Sequence, residues 1–349
     1  MGQITIALIR EVLRQKLDIS LFLRGEQNPE TEGDAEAIKR AIGELAVHSE
    51  LNHSYKDSFE LDIWHLNTTA LSRLSERKSL LSFYELDSPT KMELNVAKNQ
   101  DILYFSSQYS CDVFENAGAD NVKYLPLFFD SVNFKTLNKK YFSDDRVSFN
   151  LAGKFENRKH HKKIIQAWAK KYGNNKKYYL NCALYNTFLS NDDNRKSIVE
   201  ALNGESYFNI NFLSRMPTNA IYNDYLNSSN IMIGMSGGEG WGLPEFQSVA
   251  LGKHSVILNA HGYKGWATNE NSVLVEPWGK TSSEDGVFFA PNRPTNQGQL
   301  FDWKEDDFID GCEEAIKRVE SDPVNHEGLK LQQEFTTEKT LSIIMKDMS

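Results

Sequence analysis

The sequence predicts an α/β protein built as two Rossmann-like halves that face each other across a cleft. Short apolar runs of strand type alternate with segments of helical period along most of the chain. The alternation breaks off in a polar stretch between residues 127 and 147 and restarts at Val147. The length of 349 residues also exceeds the roughly 250–300 at which a single core stops growing.

The first half opens with a helix over 5–14. Ile6, Ile9, Val12 and Leu13 recur at helical spacing, and the run from Arg10 to Gln15 favours helix. A short strand is expected over 18–23, then a polar, acidic stretch over 25–34 and a helix over 35–47. Strands follow over 61–66, with Trp64, His65 and Asn67 at the C-terminal end, and over 79–84, ending at Glu85 and Asp87. A helix over 90–97, a strand over 102–105, a helix over 107–117 capped by Ser107, and a strand over 122–125 running into Pro126 complete this half.

The second half repeats the scheme. Strands are expected over 147–153, 178–182, 210–213, 231–235, 255–259 and 271–275. Helices are expected over 161–172, 192–202, 218–226, 244–251, 308–320 and 338–345. The expected division is an N-terminal domain over 1–135, a C-terminal domain over 145–325 and a helical segment over 326–349.

Composition narrows the function classes. Hydrophobic residues make up 40% and charged residues 25%, as in ordinary globular chains. A net charge of -9 works against a long nucleic-acid backbone. Cys111, Cys182 and Cys312 are odd in number, far apart and without a CxxC, so reduced buried thiols are expected rather than disulfides or a zinc site. His160, His161 and His254 lack carboxylates at ligand spacing, so no metal is expected. No apolar run approaches the roughly 20 residues of a membrane span. The N-terminus shows no basic region followed by an apolar segment, and the cytoplasm is the expected location.

The chemistry concentrates in Gly-Gly-Glu-Gly-Trp-Gly-Leu-Pro-Glu, Gly237 to Glu245, between the strand over 231–235 and the next helix. Pro244 suits a first helical turn, where its missing N–H costs nothing. The glycines permit tight turning and close backbone approach to a ligand. Unpaired N–H groups at the helix start favour an anion. The pattern is neither the dinucleotide fingerprint nor a Walker loop, because no Lys-Ser/Thr follows. A second basic group, Lys154, Arg158 and Lys159, follows the strand over 147–153.

GGEGWGLPEFQSVALGK, Gly237 to Lys253, resembles the donor-site motif of retaining glycosyltransferases of family 4, the class that includes glycogen-synthase-like and sucrose-synthase-like enzymes. LAGKFENRKHHKKIIQAW, Leu151 to Trp168, resembles the segment that opens their C-terminal domain. DIWHLN, FYELDSPTKMEL and the stretch from Leu103 to Asp130 resemble later strands of their N-terminal domain, so the likeness covers most of 60–290. It implies the two-lobed GT-B fold, with the C-terminal helix crossing back to the first domain. Glu239 takes the position of the carboxylate beside the donor sugar hydroxyls. Gly238, Gly240, Trp241, Gly242 and Leu243 share that donor loop. Gly153, Lys154 and Lys159 correspond to the diphosphate grip, with Arg158 beside them. Three departures stand out. The family's second, ribose-binding carboxylate is here Gln247, which bonds hydroxyls without charge, and Glu245 is two residues out of register. Glu85 stands where many members carry a His near the donor sugar. The chain also starts at a segment that follows the family's first strand, with Gly2 as the last glycine of the first loop. The N-terminal domain is therefore expected to lack that strand, unless another segment fills its place.

The resemblance implies transfer of a sugar from a UDP- or GDP-sugar to an acceptor hydroxyl with retention, without a metal or a permanently bound cofactor. Glu239 orients the sugar, Lys154 and Lys159 stabilise the leaving diphosphate, and Glu85 lies at the reacting end of the cleft. The acceptor is open among a glycan, a lipid-linked glycan, a protein and a modified base. An inverting transferase, a sugar-nucleotide epimerase and a non-catalytic nucleotide-sugar-binding or assembly subunit are the alternatives. A dinucleotide oxidoreductase fits less well, because no glycine fingerprint follows an early strand.

Overall fold

The computed structural model describes residues 2–24, 29–51, 55–286 and 288–348. Of the acidic stretch expected over 25–34, positions 25–28 lie outside the described residues. The first half runs α1 (Gly2–Arg14), α2 (Ala35–Leu51), β1 (Phe59–Ile63), β2 (Arg77–Ser82), α3 (Lys91–Lys98), β3 (Ile102–Phe105), α4 (Gln108–Asn116) and β4 (Val122–Tyr124). The second runs β5 (Val147–Gly153), α5 (His161–Tyr172), β6 (Tyr178–Leu184), α6 (Asn191–Ala201), β7 (Ile210–Phe212), α7 (Asn219–Ser228), β8 (Ile231–Gly234), α8 (Leu243–Ala250), β9 (His254–Leu258) and β10 (Val273–Val275). A hairpin of β11 (Gly279–Ser282) and β12 (Gln299–Asp302) follows, then α9 (Glu305–Ser321), α10 (His326–Glu334) and α11 (Thr337–Met348).

The strands form two all-parallel sheets, of order β1-β2-β3-β4 and β10-β9-β8-β5-β6-β7, while β11 and β12 pair antiparallel. A parallel sheet is covered on both faces, which is why β8 and β9 are buried at every position. Helix starts follow local chemistry. Thr90 and Glu93 form a reciprocal capping box for α3, with bonds of 3.2 and 2.8 Å. Ser107 caps α4 by accepting from the Ser110 N–H at 3.1 Å.

Residues 18–23 form no strand. A strand needs a ladder, and here the Leu21 N–H donates to Ser49 Oγ of α2 at 2.6 Å instead. Arg24 then ties the segment to β1 through Asp62 at 3.0 Å. The hairpin and α10 are elements that the sequence pattern did not announce. All four residues of β11 are exposed, so no apolar alternation marks it. In α10 only Gly328 and Leu331 are buried.

Contacts of several kinds hold the halves together. One apolar cluster runs from Ile4 and Leu8 of α1 and Tyr104 of β3 to Phe149, Trp168 and Phe246 of the second half. From α11, Asp347 accepts from Tyr104 Oη at 2.9 Å and Lys123 Nζ at 2.6 Å, and Thr340 Oγ1 donates to the Pro126 carbonyl at 2.9 Å. Another is the 279–302 excursion. Its Phe289 and Leu300 are buried in the core of the first half among Leu80, Tyr84, Phe105 and Phe114. Asp87 accepts from the Gln299 N–H at 2.8 Å and from Lys280 Nζ at 2.7 Å, and Glu93 accepts from the Asn296 N–H at 2.9 Å.

Candidate active site

β8 delivers the chain to the glycine turn at the C-terminal edge of its sheet, where open α/β folds bind ligands. Gly242 takes φ 81°, and a Cβ there would lie 2.1 Å from the Tyr263 ring, so only glycine fits. Pro244 then sits in the first turn of α8. Two other glycines serve the approach of the halves. A Cβ on Gly238 would stand 2.5 Å from the Glu85 carbonyl oxygen, and one on Gly240 would stand 3.2 Å from Phe83 Cβ. Ser106 Oγ of the first half donates to the Gly240 carbonyl at 2.8 Å.

Glu239 is the centre of a buried ion network. Its Oε1 accepts from Lys159 Nζ at 2.5 Å and lies 3.2 Å from an Arg158 nitrogen, with 8% of its side chain exposed. Arg158 also meets Glu156 at 2.7 Å and Glu85 at 3.2 Å, and donates to the Gly238 carbonyl. Burial opposes the charge on Glu239, but the Lys159 and Arg158 cations outweigh it and hold the carboxyl well below the usual carboxylate range. Burial likewise disfavours the Lys159 cation, and Glu239 reverses this, raising it. Glu85 shows the opposite balance: burial raises its carboxyl, and Arg158 offsets this only in part.

The structure thus brings Glu239, Lys159, Arg158, Glu85, Gly238 and Gly240 together. Gly153, with φ 134°, backs the cluster, since a Cβ there would meet the Lys159 side chain at 3.1 Å. Lys154 stands apart from these carboxylates. It is exposed, with its ammonium 5.0 Å from the Phe188 ring centre and 5.3 Å from that of Phe288. Gln247 is buried in α8 and approaches Gln3 of α1 at 3.5 Å, while Gly2 is exposed at the start of α1. Trp241 packs into the core against Phe246 and Phe335, at ring distances of 5.3 and 5.4 Å, and Leu243 joins the same core at its edge. Glu245 points back beneath the turn, where a Cβ on Gly234 would meet its Cγ at 2.7 Å. Burial raises its carboxyl to about 7, against the lowering effect of Lys159.

The histidines have structural partners. His160 Nδ1 lies 3.1 Å from the Met235 carbonyl, His254 Nε2 lies 2.7 Å from the Asp322 carbonyl, and His161 packs against Phe155. His65 is exposed at the end of β1. Among the described residues no group of three or more His, Cys, Asp or Glu is arranged to hold a metal, and no helix is long and apolar enough to cross a membrane. The three cysteines are free and buried. A residue the sequence reading missed is His261, after β9. It is buried, its Nε2 lies 2.8 Å from the Ser236 carbonyl, and burial pushes its imidazole down to about 4. Its place just beyond the C-terminal end of a strand was the available signal. Beside the network, a cavity of about 580 Å³ opens between the Phe155–Lys163 segment and the hairpin, with Phe288 and Asp302 in its wall.

Two parallel α/β sheets, joined in this way around a glycine turn, make the GT-B fold. The likeness to solved structures is extensive. HepE from Anabaena, in complex with UDP, superposes with a TM-score of 0.61 at 13% identity over 99% of this chain and 95% of that one. Sucrose-phosphate synthase from Thermosynechococcus elongatus gives 0.61 at 12% identity, over 95% of this chain and 85% of that one. TarM gives 0.60 at 12% identity over 86% of this chain, and the match spans 57% of the TarM chain. The sequence matches no family model and no curated protein.

Proposed function

We propose that the chain is a retaining glycosyltransferase that moves a sugar from a nucleoside diphosphate sugar to an acceptor hydroxyl. The observation that carries this reading is the buried Glu239–Lys159–Arg158 network at the glycine turn. It places two cations and a carboxylate held below the usual carboxylate range beside the start of α8. In this reading the cations and the helix start take the diphosphate, whose charge grows as the glycosidic bond breaks. Glu239 then accepts bonds from sugar hydroxyls and fixes the anomeric carbon toward the acceptor. The fold shared with UDP-bound HepE supports a nucleotide donor. We assign the donor to the 145–325 domain and the acceptor to the 1–135 domain, with 326–349 bracing the two.

A donor-and-acceptor screen with mass detection of the sugar adduct tests the reading. Sugar transfer from a UDP- or GDP-sugar is the expected result, and nucleotide binding without turnover of any donor would overturn it. One observation favours the second reading, a nucleotide-sugar-binding subunit: Gln247 turns toward Gln3 and carries no charge for a ribose.

A further inference from the structure

The ion network carries more negative charge than a diphosphate site calls for. Around Arg158 stand three carboxylates, Glu85, Glu156 and Glu239, against two cations, Arg158 and Lys159. A diphosphate brings further negative charge to the same nitrogens, so one carboxylate has to withdraw before the cations can turn to it. Geometry distinguishes the three. Glu156 lies on the same short loop as Arg158, 2.7 Å away, with 5% of its side chain exposed. Glu239 is held by both cations and is 8% exposed. Glu85 has a single contact to the network, 3.2 Å long, keeps 28% of its side chain accessible, and comes from the opposite half.

We propose that Glu85 is a built-in competitor for the donor diphosphate, holding Arg158 across the cleft in the free protein and releasing it as the nucleotide enters. This rests on the glycosyltransferase reading above and adds to it. In the free protein the pair joins the two halves at the point where the donor arrives. Affinity for the nucleotide is thereby set below what Arg158 and Lys159 would give alone. Burial raises the Glu85 carboxyl, with Glu239 and Glu156 adding to this and Arg158 and Lys159 opposing it, so its charge is less firmly held than that of Glu239.

The test is calorimetric titration of UDP and of GDP into the full chain, wild type and the variants Glu85→Gln and Glu85→Ala, with the melting temperature measured on each preparation. Both variants are expected to bind the preferred nucleotide about tenfold or more tightly than wild type, as removal of a competing like charge predicts. A merely structural Glu85 predicts the reverse, weaker binding that falls together with melting temperature. Unchanged or weaker binding by Glu85→Gln, with wild type binding normally, would overturn the competitor role and leave the donor site standing. If neither nucleotide binds wild type or variants, the donor reading falls, and this inference with it.

Discussion

At the residue scale, the buried pair Lys159 and Glu239 changes how substitutions must be read. Lysine and carboxylate each depend on the other for burial, and removing one partner of such a pair costs about 3–5 kcal/mol because the other charge is stranded. Glu239→Gln should therefore lower both melting temperature and turnover. Glu239→Gln combined with Lys159→Met removes both charges and should recover stability without recovering turnover. Recovery of transfer activity in that double variant would show that Glu239 only stabilises the turn. Lys154 offers the cleaner probe of the diphosphate grip, since it is exposed and outside the network. Lys154→Ala should weaken nucleotide binding by about 1.5–3 kcal/mol, the range for a hydrogen bond to a charged group, with an unchanged melting temperature. Affinity equal to wild type in calorimetry would remove Lys154 from the site.

Glu245 gives a pH signature of its own. Its folded carboxyl lies at about 7, above the 4.5 of a free glutamate. The folded state thus holds its proton longer than the unfolded state, and stability falls as pH rises from 4.5 to about 7, remaining low above it. Glu245→Gln should raise the melting temperature at pH 8 and change it little at pH 4, by about 2–4 °C for each kcal/mol recovered. Glu239, held low, has the opposite sign: its contribution is present above the ordinary carboxylate range and is lost only as pH falls through its depressed value. A melting-temperature series across pH 4–8 on wild type and Glu245→Gln checks the Glu245 slope, and Glu239 adds none in that window.

At the element scale, what was legible in the sequence was what local chemistry and period dictate. The strand over 147–153 and the helix over 161–172 fall where the apolar pattern places them, and Ser107 caps the helix that follows it. The glycine turn was legible as a tight turn before a helix. That Gly238 and Gly240 abut the other half was not, because a glycine's neighbour lies in tertiary structure, outside the local pattern. The segment over 18–23 carries strand-forming residues yet forms no ladder, since pairing needs a partner edge that composition cannot reveal. The hairpin was hidden for the converse reason: β11 is polar and exposed, and its anchor residues Phe289 and Leu300 are isolated from any period. The site was legible in parts. Lys159 and Glu239 were read as neighbours of one ligand, but not as each other's partner, and the ion network includes Arg158 but not Lys154. Gly242→Ala should be severe, since the new Cβ would collide with the Tyr263 ring in a backbone conformation that side chains resist. A wild-type melting temperature for that variant would disprove the proposed packing of the turn.

At the scale of the whole molecule, the excursion over 279–302 makes the two halves depend on each other. Leu300→Ala should cost about 2–5 kcal/mol, the range for emptying a buried leucine site. Its effect should be felt in the first half, as faster hydrogen exchange of the β2 and β3 amides, although the residue lies in the C-terminal stretch of the sequence. Exchange accelerated only within the second half would show that the hairpin does not support the first.

That dependence also orders events on the ribosome. An N-terminal domain normally condenses as it emerges, ahead of the rest of the chain. Here the first half has its strands by Tyr124, but two side chains of its core, Phe289 and Leu300, are made more than 150 residues later. Until then the nascent half carries an unfilled apolar hole among Leu80, Tyr84, Phe105 and Phe114. A released fragment of residues 1–135 should consequently bind an apolar dye and aggregate, whereas the full chain should do neither. Vectorial synthesis thus leaves this protein with a long interval in which its first-made part waits for its last contacts.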